Sequence, residues 1–249
     1  MGIGAAIASA FAAVGAKLFL HYYRTPFDQT AGTDLYRRQQ QKSCDEVMQR
    51  LAATGVDAGA YEADLTDPTA IVNVLEAAER RLGPVDVLVN NAASWSADTF
   101  VTRGKPVRNT FLELWTKSAT PLSAESSVRQ FVGNAIAPAV LTREFARRHA
   151  ARQASWGRII NISTDGSDGF PGEISYGASK FALESFTRSA AHELGQFGIT
   201  VNVLALGPVQ TGWITPALER AIVPSIPLGR IGTPGDVADV VVFLASEQA

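Results

Sequence analysis

Short apolar, β-rich runs alternate with segments whose apolar residues fall at helical spacing. This alternation constrains the chain more than any other feature of its sequence. Residues 17–23, 85–89, 157–163 and 199–206 predict strands from their β-forming residues, and 57–63 reads as a further short strand. Residues 46–53, 70–82, 128–149 and 175–194 predict the intervening helices, and 234–246 predicts a last one. Ile3, Ile7, Phe11 and Val14 place a further helix ahead of the first strand. Pro138 predicts a kink or irregularity within 128–149, because it lacks an N–H and crowds the preceding turn. Strands and helices alternating in this way predict a parallel sheet covered on both faces, hence a doubly wound, Rossmann-like α/β fold. No internal repeat or linker interrupts the pattern, so residues 1–249 read as one domain.

With AVILMFWYC at 46% and DEKR at 18%, the chain can bury a sizeable core, which excludes a disordered tail. Its 22 Lys+Arg against 24 Asp+Glu leave a formal charge of −2, without the basic excess that nucleic acid binding needs. The single cysteine, Cys44, excludes an intrachain disulfide and a cysteine-built metal centre. His21, His149 and His192 are scattered, so no metal site is expected. Residues 1–16 carry no charge, yet they lack a basic leader and are too short to span a bilayer. They read as a glycine turn entering a helix, and the expected location is the cytoplasm, with no membrane partner.

Tyr176-Gly177-Ala178-Ser179-Lys180 carries the clearest chemistry. On a helix, positions i and i+4 share a face, so the phenol and the ammonium address one place. A fixed cation beside a phenol favours the phenolate and brings proton exchange within reach of neutral pH. Ser163 lies thirteen residues upstream at the end of an apolar strand, where side chains reach the carboxyl edge of the sheet. Asn90-Asn91-Ala92-Ala93 ends the preceding strand, and Asn134 lies on the helix between.

These residues, with Gly2-Ile3-Gly4, Asp64-Leu65, the run 159–163 and Gly207-Pro208-Val209-Gln210-Thr211, resemble the short-chain dehydrogenase/reductase family over almost the entire chain. The branch containing 3-oxoacyl-carrier-protein reductases is the most similar. The resemblance implies a nicotinamide-dependent oxidoreductase working between a carbonyl and a secondary alcohol, with a 3-oxoacyl thioester or related ketone as substrate. It implies that Tyr176 is the general acid for reduction and the base for oxidation. Lys180 would lower the tyrosine pKa and hold the nicotinamide ribose, and Asn134 would position a water behind Lys180. Ser163 would hydrogen-bond the carbonyl oxygen. Counting back from Tyr176 favours Ser163, whereas counting along the strand favours Thr164, and both are hydroxyls.

For the cofactor, the resemblance implies that Gly2, Ile3 and Gly4 lie against the pyrophosphate at a helix N-terminus, where amide dipoles favour anions. Asp64 and Leu65 would meet the adenine, Asn90 and Ala92 the adenine-ribose side, and Pro208, Val209 and Thr211 the carboxamide. Arg24, with no carboxylate after it until Asp28, favours NADP(H), with NAD(H) the alternative. Leu206 stands where the family places proline.

Substrate selection is expected in 94–127, where Trp95 and Trp115 offer apolar contacts, and in 212–232, where Trp213, Ile214 and Leu218 suit a short lid helix or a core under a loop. A homodimer or homotetramer is implied by resemblance. Relative to the family pattern, a strand before Gly2 and one after the last helix are missing. A non-catalytic homologue or interaction protein, without cofactor binding, therefore stands as the alternative to an enzyme.

Overall fold

The computed structural model describes residues 2–25, 34–101, 107, 109 and 119–249. Helix α1 (Ile3–Ala13) leads into strand β1 (Leu18–Tyr22), followed by α2 (Asp34–Gln40), α3 (Asp45–Ala53) and β2 (Ala58–Glu62). Next come α4 (Pro68–Leu82), β3 (Val87–Asn90) and two short strands, β4 (Asp98–Thr99) and β5 (Thr120–Pro121). Helix α5 (Ala124–Phe131) runs through a π-helical turn (Val132–Ile136) into α6 (Ala137–Ala151). Strand β6 (Gly157–Thr164), α7 (Ile174–Leu194), β7 (Ile199–Leu206), α8 (Pro216–Ile222) and α9 (Pro234–Leu244) complete the order.

All pairings are parallel. β1 pairs with β2, β3 with β6 and β6 with β7, while β4 and β5 form a small separate pair. Among the described residues β1 therefore pairs only with β2, and β3 only with β6. The two sheets nonetheless share a layer. Ile7 and Phe11 of α1 and Val237 and Val241 of α9 form a core with Ile160 and Ile162, against which Leu18 of β1 and Val87 and Val89 of β3 both pack. On the opposite face Ile71 and Leu75 of α4 and Leu141 and Phe145 of α6 close over Ile159, Ile199 and Val201. Odd and even positions of β6 thus feed different cores, as the two-residue strand period requires. Every residue of β6 is buried, so its polar members are hydrogen-bonded: Arg158 reaches the Ser246 carbonyl and Asn161 the Thr187 hydroxyl.

Local chemistry sets the ends of these elements. Asp67 caps α4 by accepting from the Thr69 N–H, with Pro68 in the first turn. Thr233 and Asp236 form a reciprocal capping box on α9. Gly198 turns the chain into β7 at φ 72°, and a Cβ there would meet the Ser155 carbonyl oxygen at 1.9 Å, so only glycine fits. The irregularity expected at Pro138 lies just before it, at 132–136. Pro138 itself sits in the first turn of α6, where a missing N–H is tolerated, and it has no N–H to offer the Asn134 carbonyl four residues back.

Among the described residues no helix is long and apolar enough to cross a membrane, and no cluster of His, Cys, Asp and Glu is arranged to hold a metal ion.

Candidate active site

Parallel strands end together, so Tyr22, Glu62, Asn90, Thr164 and Leu206 all finish at carboxyl edges of the sheets. Helix α7 descends from the edge of the larger sheet and brings Tyr176 and Lys180 to it from its first two turns. Lys180 is 2% exposed. Its Nζ donates to the Ile162 carbonyl at 2.9 Å and lies 5.8 Å from the centre of the Tyr176 ring. Burial pulls this ammonium down from the ordinary lysine value to about 8. Phe170 packs against the other side of the neighbourhood, its ring 6.3 Å from that of Tyr176.

Asn134 is wholly buried on the π-helical turn. Its Oδ1 accepts from the Ser94 N–H at 2.7 Å, and its Nδ2 donates to the Ser94 carbonyl at 2.8 Å and to Ser179 Oγ at 3.0 Å. The side-chain amide thereby ties the segment after β3 to α7, one residue from Lys180. π-helical turns of this kind recur at functional sites.

The two candidate hydroxyls separate clearly. Ser163 Oγ donates to Glu184 Oε1 at 2.8 Å, and Glu184 lies two helical turns beyond Tyr176 along α7. Ser163 is therefore turned toward the body of the helix, on the side where Asn161 Nδ2 reaches Thr187 Oγ1 at 2.8 Å. Among the described residues the side chain of Thr164, the last residue of β6, has only long contacts, 3.5 Å to Asp165 Oδ1 and 3.4 Å from the Gly166 N–H. The strand register pairs Ser163 with Ala205 and Thr164 with Leu206, so Thr164 is the last residue of β6 at the carboxyl edge.

The residues expected around the cofactor are gathered at the same edges, several with other partners. Gly2 caps α1 without a side-chain bond, the first turn holds no acidic residue, and a Cβ on Gly2 would meet nothing within 4 Å. An open helix N-terminus of this kind suits a phosphate. Gly4 allows a close approach to Asn91, whose Nδ2 would lie 2.9 Å from an added Cβ. Ile3 packs at the rim of the α1/α9 core.

Asp64 Oδ1 accepts from the Thr66 N–H and hydroxyl, forming a side-chain turn, and Leu65 packs on the α4/α6 core. Asn90 Nδ2 donates to Asn161 Oδ1 at 2.8 Å, bridging β3 and β6, and Ala92 is exposed. Pro208 and Val209 run beside Gly232, whose N–H donates to the Pro208 carbonyl at 2.9 Å. The Val209 side chain is buried in the α1/α9 core, so only its backbone faces the edge. Thr211 is half-buried in the turn that follows.

Arg24 is not a free cation. Its guanidinium forks onto Glu62, with Nε and Nη2 each 2.8 Å from a carboxylate oxygen. The fork lowers the Glu62 pKa. Trp95, expected only to give apolar contacts, donates its indole N–H to Glu173 Oε2 at 2.5 Å. Burial raises the Glu173 carboxyl, with the Trp95 and Asn109 hydrogen bonds opposing. Ile214 and Leu218 are buried in a small core of their own with Ile222 and Ile231, against which Trp213 packs. Trp115 and Asp28 lie outside the described residues.

Sequence reasoning missed Asp98. This fully buried residue of β4 accepts the Ser175 N–H at 3.0 Å and the Ser175 hydroxyl at its other oxygen, and Ser175 precedes Tyr176. No spacing pattern links two residues 77 positions apart, so nothing in the sequence pointed to the pair.

Comparison with known proteins shows the family to which the chain belongs. The family described as enoyl-(acyl carrier protein) reductase matches residues 1–249. An uncharacterized oxidoreductase of Bacillus subtilis, YjdA, is 36% identical over 82% of this chain and 74% of its own length. The 3-oxoacyl-[acyl-carrier-protein] reductase FabG of Escherichia coli is 34% identical over 100% of this chain and 87% of its own. Among solved structures, a blue fluorescent protein from a metagenomic library in complex with NADPH superposes with a TM-score of 0.75 at 31% identity, covering 100% of this chain and 87% of that one.

Proposed function

Because the chain belongs to the short-chain dehydrogenase/reductase family of oxidoreductases, we propose that it interconverts a carbonyl compound and a secondary alcohol with a nicotinamide dinucleotide, NADP(H) ahead of NAD(H), at the Tyr176–Lys180 edge. One observation carries this reading. A lysine buried to 2% exposure, with no ion pair among the described residues, holds its ammonium beside a tyrosine ring at the carboxyl edge of a parallel sheet. Burying an unpaired cation is costly, and its persistence there fits a catalytic duty.

The open N-terminus of α1 and the backbone of 207–211 fit such a dinucleotide, with Lys180 toward its nicotinamide ribose. The bound cofactor supplies or accepts the hydride. Tyr176 Oη delivers the proton to the carbonyl oxygen in reduction and withdraws it in oxidation. The Lys180 ammonium favours the phenolate left behind. Thr164 Oγ1, rather than Ser163, donates to the oxygen as negative charge develops, since Ser163 is engaged by Glu184. The Asn134 carbonyl, which Pro138 cannot satisfy, holds a water that returns the proton through Lys180. The substrate class is a 3-oxoacyl thioester or related ketone, bound beneath the segments 94–127 and 212–232. The protein acts in the cytoplasm as a homodimer or homotetramer of single-domain subunits.

NADPH oxidation in the presence of ketones and acetoacetyl thioesters tests the reading. Tyr176→Phe should lower kcat by about 10²–10⁴ while leaving NADPH affinity within roughly threefold. Turnover unaffected by Tyr176→Phe would refute the assignment, and the absence of any saturable NADPH or NADH binding would favour the non-catalytic alternative.

A further inference from the structure

At the edge of the smaller sheet, Tyr22 of β1 and Glu62 of β2 are register neighbours, and Arg24 lies two residues past Tyr22. The Arg24 guanidinium meets the Glu62 carboxylate in a two-point fork, Nε to Oε1 and Nη2 to Oε2, both at 2.8 Å. The Arg24 N–H adds a 3.4 Å contact to Oε1. The fork is the face with which arginine grips a phosphate, and here a carboxylate fills it. Both side chains reach solvent, at 54% and 29% exposure, so a ligand can contest the pair.

We infer that Glu62 is a specificity-determining residue: it competes with a ribose 2′-phosphate for Arg24, and so holds the preference for phosphorylated over unphosphorylated dinucleotide below what a free arginine would give. The inference rests on the dinucleotide reading above and concerns only the adenosine end of the ligand. A 2′-phosphate arriving at Arg24 must displace a carboxylate and then lie beside it. A 2′-hydroxyl has no such conflict, because it can donate to Glu62 while Arg24 stays paired. Glu62 is held ionised by its partner, since the fork keeps its pKa below the usual carboxylate range. Tyr22, the register neighbour of Glu62, lines the same corner.

Equilibrium titration with NADPH and with NADH, without carbonyl substrate, reads the effect as a ratio of dissociation constants. Glu62→Gln preserves size and removes the charge. It should tighten NADPH by roughly 3- to 10-fold, the range spanned by an exposed charge pair and a partly desolvated one, while NADH affinity stays level or weakens. Arg24→Ala should collapse the NADPH/NADH ratio toward one. Equal shifts for both nucleotides in Glu62→Gln, or an unchanged ratio in Arg24→Ala, would overturn the inference while leaving the dinucleotide reading intact. Absence of binding by either nucleotide to the unaltered protein would overturn both. Both side chains reach solvent, so thermal unfolding within a few degrees of the parent confirms that the variants fold.

Discussion

Asp98 offers a sharp test of how the catalytic helix is held. Its carboxylate is wholly buried and accepts both the N–H and the hydroxyl of Ser175, in the first turn of α7 and one residue before Tyr176. The Ser175 oxygen in turn lies 2.8 Å from Ser127 Oγ on α5, so β4, α5 and α7 meet in one hydrogen-bonded chain. Asp98→Ala leaves the buried Ser175 N–H without its acceptor and costs the Ser175 hydroxyl its charged partner, leaving it only Ser127, at about 1–3 kcal/mol for each lost bond, and it removes a negative charge from a helix N-terminus.

A loss of about 4 kcal/mol follows for Asp98→Ala, and for a domain of this size that lowers Tm by about 8–16 °C. Asp98→Asn keeps one acceptor, and the Ser175 hydroxyl can turn to Ser127. The expected loss is about 2 kcal/mol, or about 4–8 °C. Thermal unfolding followed by far-ultraviolet circular dichroism at neutral pH measures both. Equal losses for the two variants, or an alanine variant within 1 °C of the parent, would show that Asp98 does not hold α7 as described.

Lys180 gives a pH signature. Its pKa is pulled down to about 8 from 10.5, so between those values the folded, nucleotide-free chain has released a proton that the unfolded chain still holds. Stability against urea should therefore rise from pH 8 to 10.5 by on the order of 3 kcal/mol, and this rise should be missing in Lys180→Met at matched pH. A parallel pH dependence of the two proteins would contradict the burial of a titrating ammonium. The two strand-end hydroxyls should also part company. Thr164→Ala should lower kcat about 10²–10³-fold, whereas Ser163→Ala should leave it within a few-fold and reduce stability by about 1 kcal/mol. Steady-state kinetics and urea midpoints distinguish them, and the reverse ranking would restore the serine.

Much of this was legible in the sequence because it is local. The period of apolar residues gave most of the strands and helices, including the fully buried β6, but not α2 or the two-residue strands β4 and β5, which are too short to show one. Tyr176 and Lys180 share a helix face by spacing alone. The glycine entry to α1 was equally readable, although Gly4 meets Asn91 as well as open space. Helix boundaries moved by only a few residues where capping residues such as Asp67 lengthened the first turn.

Tertiary structure decided whatever depends on register between distant segments. Arg24 and Glu62 are 38 residues apart and meet because β1 and β2 align Tyr22 with Glu62. That alignment turns a lone basic residue into half of an ion pair. The choice between Ser163 and Thr164 rests on a one-residue offset, which in a strand reverses the face a side chain takes. Asp98 and Ser175 come together only through the chain's path over the edge of the sheet. A single chain's periodicity records which faces are buried, and hence the fold. It does not record which polar groups will meet across that burial, because each such pairing is made by two segments whose spacing in sequence carries no physical repeat.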